Sequence, residues 1–215
     1  MQMHEAVRKT FKQVVAGDLT ATGFELERRI TEELKLEGLA DNGYFEHYRE
    51  FAVEMIRYFA TSREGKTPEK PAVLRVAYGE EEEIIVTHDD VLLASDGSRT
   101  LRKIVTGHGR KNDEKKIGAA AFLTAAHEAF PGAEVELVYL ADQRTRSVTL
   151  KPNELKTRRK HIDKHLGQIK SGRFPQKASS RTCPNCPAFF ICGPIPNGSI
   201  TPTFRSLTNL DGKKS

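Results

Sequence analysis

Thr100-Leu101-Arg102-Lys103-Ile104-Val105-Thr106-Gly107 is the stretch from which this 215-residue chain can be read. Residues 100–105 are short, β-branched or apolar by turns, which predicts a strand, and Thr-Gly closes it. The texture then changes. Residues 117–130 are alanine-rich and predict a buried helix, stopped at Pro131-Gly132. Residues 135–140 and 146–150 predict two more strands. On the other side, residues 72–78, 83–87 and 91–94 predict strands ahead of the turn at Asp96-Gly97, so that three or four strands lie adjacent. Strands followed by a helix and further strands specify an α/β fold with a mixed central β-sheet flanked by helices.

Residues 1–62 are predicted to be mainly helical. Val7, Phe11, Val14 and Val15 fall on one face of a first helix. Phe24, Leu26, Ile30, Leu34 and Leu36 continue in a second, and residues 44–59 form a third after the breaks at Gly38 and Asn42-Gly43. The chain starts inside a helical pattern and reads as a clipped beginning. Residues 64–71 are charged and proline-bearing and read as a connector into a sheet core over 71–150. Residues 153–170 predict a basic helix, with Leu155, Ile162, Leu166 and Ile169 as a narrow apolar stripe. One domain over residues 1–196 and a polar tail over 197–215 are expected. No apolar run is long enough to span a bilayer and no signal-peptide layout is present, so a cytoplasmic protein without membrane partners is expected.

The net charge of +5 is unevenly spread. Lysines and arginines against acids number 11 to 13 over residues 1–70, 10 to 13 over 71–150, and 13 to 3 over 151–215. A concentrated basic segment is the footprint of a polyanion partner, with nucleic acid the leading candidate. Lys156, Arg158, Arg159, Lys160, Lys164, Lys170 and Arg173 are the candidate DNA-binding residues.

All three cysteines, Cys183, Cys186 and Cys192, fall in one short stretch. A two-residue gap lets a turn aim two thiolates at one ion or cluster, and Pro184 and Pro187 stiffen that turn. In a reducing compartment such clustering points to metal ligation rather than to a disulfide. Structural zinc and ordinary iron-sulfur sites take four ligands, so one ligand is missing or lies elsewhere.

The order of parts, with helices, strands ending in Thr-Gly, a small-residue helix, two strands, a basic helix and then Cys183, Cys186 and Cys192, resembles the RecB-like branch of the PD-(D/E)XK nuclease superfamily. That branch occurs fused to UvrD-type helicases. The resemblance runs from about His4 to Pro196. It implies a restriction-endonuclease-like sheet, a C-terminal cysteine-bearing lobe, and an iron-sulfur cluster (or zinc) whose fourth cysteine lies before the catalytic core. It also places the family's catalytic histidine on His4 and its aspartate on Asp89 or Asp90. The family's acid and lysine fall on Lys103 and Val105, and its helix glutamine on Gly118.

Phosphodiester hydrolysis of this kind needs carboxylates to hold Mg²⁺ or Mn²⁺ and a lysine near the attacking water. Lys103 places a positive charge where the metal belongs, and Val105 can neither transfer a proton nor stabilise charge. Mg²⁺ is therefore not expected to be held, and a nuclease-like fold with a decayed centre is. The expected function is non-catalytic DNA binding in repair or recombination, in cis or in trans with a UvrD-like helicase region. One alternative is an active nuclease with relocated carboxylates, drawn from residues 80–83 or Asp113-Glu114. Another is a zinc-stabilised protein-interaction module. Asp89-Asp90 also reads as a solvated strand end, His161 and His165 as part of the basic face, residues 80–83 as a charged strand edge, and Thr106-Gly-His-Gly109 as a loop. The cysteines also read as buried thiols without metal.

Overall fold

The structure is a computed structural model that describes residues 2–71, 73–78 and 82–172. The chain divides into two compact units, residues 1–164 and 165–215. The second is described only over 165–172.

Three helices build the N-terminal layer. In α1 (Gln2–Ala16), Ala6, Val7, Thr10, Phe11 and Val14 are buried at helical spacing. In α2 (Gly23–Leu36) the buried residues are Leu26, Ile30, Glu33 and Leu34, whereas Phe24 and Leu36, counted with its apolar set, are exposed at its two ends. Leu39 N donates to Leu34 O and Gly38 N to Lys35 O, and the positive φ of Gly38 (79°) lets the chain close α2 in this way. In α3 (Phe45–Thr61), Ala52, Val53, Met55, Ile56 and Phe59 face inward. The Phe11 and Phe59 rings lie 5.8 Å apart, inside one apolar cluster that also takes in Ile104, Val138 and Leu140.

A five-stranded mixed sheet has the order β1-β4-β5-β6-β7, from β1 (Thr67–Glu69), β4 (Asp90–Leu93), β5 (Arg99–Val105), β6 (Glu134–Tyr139) and β7 (Arg144–Ser147). The β5/β6 pair is parallel, with Ile104 opposite Val138, and the other neighbours are antiparallel. The two parallel strands are joined through α4 (Ile117–Ala129), as a parallel crossover requires. Ile104 and Val138 belong to the helical cluster, so α1 to α3 cover one face of the sheet. The alternate residues Leu101, Val135 and Leu137 are buried on the other face. The α/β architecture with a mixed sheet flanked by helices is thus as the sequence indicates.

Three local differences have physical causes. The residues read as a connector contain β1, a three-residue strand, and Pro68 is tolerated there because β1 pairs only with β4 and leaves its other edge open. The strands β2 (Val73–Tyr78) and β3 (Glu82–Thr87) do not extend the main sheet but pair with each other as a separate hairpin. That hairpin packs on α4, with Leu74 and Val76 buried and Val73 and Ile85 exposed. The last strand begins at Arg144, two residues before its expected start, because Gln143 adopts φ 48° in a tight turn and sets Arg144 opposite Tyr139. The apolar Val148 and Leu150 drew the expectation downstream. The final helix, α5, runs Pro152–Lys170. Among the described residues no helix is long and apolar enough to cross a membrane.

Candidate functional site

The strand pair β4/β5 carries the positions on which the resemblance puts the nuclease chemistry. Asp89 sits just before β4 begins, where Ile104 N would otherwise lack a ladder partner. Its Oδ2 accepts that N–H at 2.9 Å, and Asp89 N donates to Arg102 O at 3.0 Å. The Lys103 ammonium lies 3.1 Å from the same Oδ2 and 3.3 Å from Oδ1. Both oxygens are therefore engaged by a cation supplied by the chain itself.

Asp90 is not a second ligand at that place. It pairs with Arg102 across the ladder and shares its face of the sheet, whereas Lys103, the next residue on β5, and with it Asp89, belong to the opposite face. Asp90 is fully buried, with Oδ2 2.8 Å from Arg102 Nη1 and Oδ1 3.2 Å from Arg63 Nη2. Arg102, also fully buried, reaches Glu136 Oε2 at 3.0 Å and donates to Ser62 Oγ. The Arg63 and Arg102 guanidinium carbons stand 5.1 and 5.7 Å from the Phe59 ring centroid. Burial pushes the Asp90 carboxyl above its ordinary pKa, against the pull of Arg63 and Arg102. This cluster fastens α3 to the sheet. The signal of it in the sequence is an arginine, Arg102, that alternation puts on the same face of the strand as Ile104.

His4, on α1, is half-buried and forms a hydrogen bond with the Thr106 backbone at the end of β5. Burial lowers its pKa below the ordinary value, and that bond pulls the other way. Val105 stands opposite Tyr139 in the sheet and contributes no polar atom. Gly118, where the family has glutamine, faces open space. Those of the alternative acids whose side chains are described are also committed. Asp113 accepts from Arg110 N and pairs with Lys116, Glu114 pairs with Arg146 at 3.1 Å, and Glu83 pairs with Arg75 at 2.7 Å.

These residues do not suit a catalytic divalent ion. One aspartate is bridged by a lysine, the other is buried between two arginines, and they face apart. Among the described residues no group of three or more His, Cys, Asp or Glu side chains is arranged to hold a metal. Cys183, Cys186, Cys192 and Arg173 lie outside the described residues, as do Glu80 and Glu81.

On α5 the candidate cations separate into two kinds. Lys156, Lys160 and Lys164 are exposed and recur every fourth residue, which keeps them on one side of the helix. Arg159 and Lys170 are exposed too, with Arg159 Nη1 3.0 Å from Glu128 Oε1. Arg158 differs: it is buried beside Ile162 on the inward side and donates from Nη1 to Glu114 O at 2.7 Å. The side chain expected on the basic face instead anchors the helix. No family model matches the chain, and no curated protein matches it.

Proposed function

We propose that this chain is a non-catalytic, nuclease-like DNA-binding module that acts in repair or recombination with a UvrD-like helicase region. The observation that carries the DNA-binding part is the row of Lys156, Lys160 and Lys164 on the exposed side of α5, at the head of a segment holding 13 basic against 3 acidic residues. None of the three lysines has an ion-pair partner among the described residues. Unpaired, regularly spaced ammonium groups repel one another, and a phosphate backbone relieves that repulsion while releasing its counterions. The non-catalytic part is supported by Lys103 on Asp89. A lysine that close to the carboxylate competes with a metal for it, and among the described residues Asp89 belongs to no group of three or more side chains that could hold one.

The test is a titration of labelled single- and double-stranded DNA at several salt concentrations, with a parallel incubation in Mg²⁺ or Mn²⁺. The expected result is binding with little sequence preference, a logarithm of affinity that falls linearly with the logarithm of salt, and intact DNA. Absence of salt-dependent binding would overturn the DNA-binding part. Cleavage abolished by Asp89→Ala would overturn the non-catalytic part.

A further inference from the structure

The loop after β5 and the edge strand β7 meet at a second concentration of positive charge, in a part of the sequence whose overall balance is acidic. Gly109, Arg110, Lys111, Arg144, Thr145 and Arg146 line an open groove of about 510 Å³. It runs between the loop after β5 and the edge strand β7, whose Arg144, Thr145 and Arg146 stand opposite Tyr139, Val138 and Leu137 of β6.

The groove is braced. Asp142, in the β6/β7 turn, accepts from Gly109 N at 2.7 Å and pairs with His108 Nδ1, which ties the two loops together. The Arg144 guanidinium stands 5.7 Å over the Tyr139 ring. Gly109 packs against both: a Cβ there would come 2.9 Å from Arg144 Nη2 and 3.1 Å from the Tyr139 ring. A glycine is needed for Arg144 to lie where it does. Among the described residues the acids nearby are Asp142, engaged as described, Asp113, which accepts from Arg110 N and pairs with Lys116, and Glu114, which pairs with Arg146. Arg110, Lys111 and Arg144 have no ion-pair partner among the described residues. Two guanidinium forks and an ammonium gathered with none of them in an ion pair suit phosphate oxygens, and a stacked arginine loses little freedom when it binds them.

We infer that this groove holds phosphates of the DNA backbone, as a contact surface separate from α5. The inference takes its ligand from the DNA-binding reading above. Full-length chain is titrated with labelled duplex DNA at several salt concentrations, as wild type and as three variants. Arg110→Ala with Lys111→Ala removes two exposed charges, Gly109→Ala removes none but displaces Arg144, and Lys156→Ala with Lys160→Ala and Lys164→Ala serves as comparison. The first variant is expected to bind about tenfold more weakly and to flatten the salt slope by about 2. Gly109→Ala, if its melting curve shows it folded, is expected to bind severalfold more weakly with all charges kept. Weaker binding by the α5 variant with wild-type affinity and slope in Arg110→Ala/Lys111→Ala overturns the groove and leaves the DNA-binding reading standing. No binding by the wild type removes both.

Discussion

The Lys103 ammonium lies 3.1 Å from Asp89 Oδ2, on the strand where the resemblance would put an acid facing that aspartate. A cation built into the chain needs no metal to balance the carboxylate, and an incoming ion would have to displace it. Lys103→Glu turns the pair into two carboxylates. In metal-free buffer it is expected to lower stability by about 1 kcal/mol, the order of a partly exposed ion pair. It should also gain a rise in melting temperature on addition of Mn²⁺ that the wild type lacks. An Mn²⁺ response in the wild type that Asp89→Ala abolishes would contradict this account.

Arg102 is held by Asp90, Glu136 and Ser62 with no exposure of its own. Removing it leaves the carboxylates without their shared partner, which for a buried pair costs about 3–5 kcal/mol. Arg102→Met should therefore be among the most destabilising substitutions, read as a loss of the urea unfolding midpoint. Neutralising the acids in the same chain, with Asp90→Asn and Glu136→Gln, should recover much of the loss. If Arg102→Met unfolds no more easily than the wild type, the cluster is not what fastens α3 to the sheet.

How far the fold could be read from the sequence follows from periodicity. The spacing of Val7, Phe11 and Val14, and the alternation of Leu101 with its neighbours, depend on burial on one face, and both are visible in the residue order. What escaped were pairings between segments distant in sequence. β1 is three residues long and shows no alternation, and β2 and β3, which read as strands like those of the main sheet, pair only with each other. At the site, the sequence marks Asp89, Asp90 and Lys103 as chemically discordant. It could not show that the two aspartates face opposite ways, or that Arg158 turns inward to Glu114 O. Nor could it bring Arg110-Lys111 and Arg144 together, because the loop after β5 and the strand β7 meet through contacts between residues distant in sequence, Asp142 with Gly109 and Glu114 with Arg146.

Two histidines give the chain a defined pH dependence. Burial lowers the pKa of His4 and of His88 from the ordinary 6.5. Below about that pH the unfolded chain binds more protons than the folded one, so stability falls as pH drops from about 6.5 toward the folded values. Asp90, pushed up by burial, acts in the opposite sense, and an Asp90→Asn background removes it. In that background the urea midpoint is expected to fall between pH 7 and pH 5, and His4→Gln with His88→Gln should flatten the change. An equally steep fall in the double variant would assign it to other groups.

Residues on α5 should separate stability from binding. Arg158→Ala removes a buried donor to Glu114 O and leaves that acceptor unsatisfied, at a cost of about 1–3 kcal/mol. It should lower the melting temperature while leaving the salt dependence of DNA binding unchanged. Lys156→Ala with Lys160→Ala and Lys164→Ala should do the reverse, flattening the salt slope by about 2–3 with little change in melting. A flatter slope in Arg158→Ala, with melting unchanged, would put that side chain in the interface.

Cys183, Cys186 and Cys192 are the chain's three cysteines, and the spacing of the first two suits a turn that aims both sulfurs at one ion. Three thiolates leave one position of a tetrahedral zinc site, or one iron of a four-iron cluster, to be filled by water, an added thiol or a group from another protein. An incomplete ligand set binds less tightly, and because ligation of this kind contributes directly to folding, it also holds its segment less firmly. The 215-residue chain, purified without oxygen, is therefore expected to carry less than one equivalent of zinc or of cluster. Supplying a small thiol should raise that occupancy, and Cys186→Ser should abolish it. Metal analysis with an absorbance spectrum decides between outcomes. A full, stable four-iron cluster in this chain alone would show that the fourth ligand is already present, and an absence of any metal under all these conditions would leave the cysteines as plain thiols.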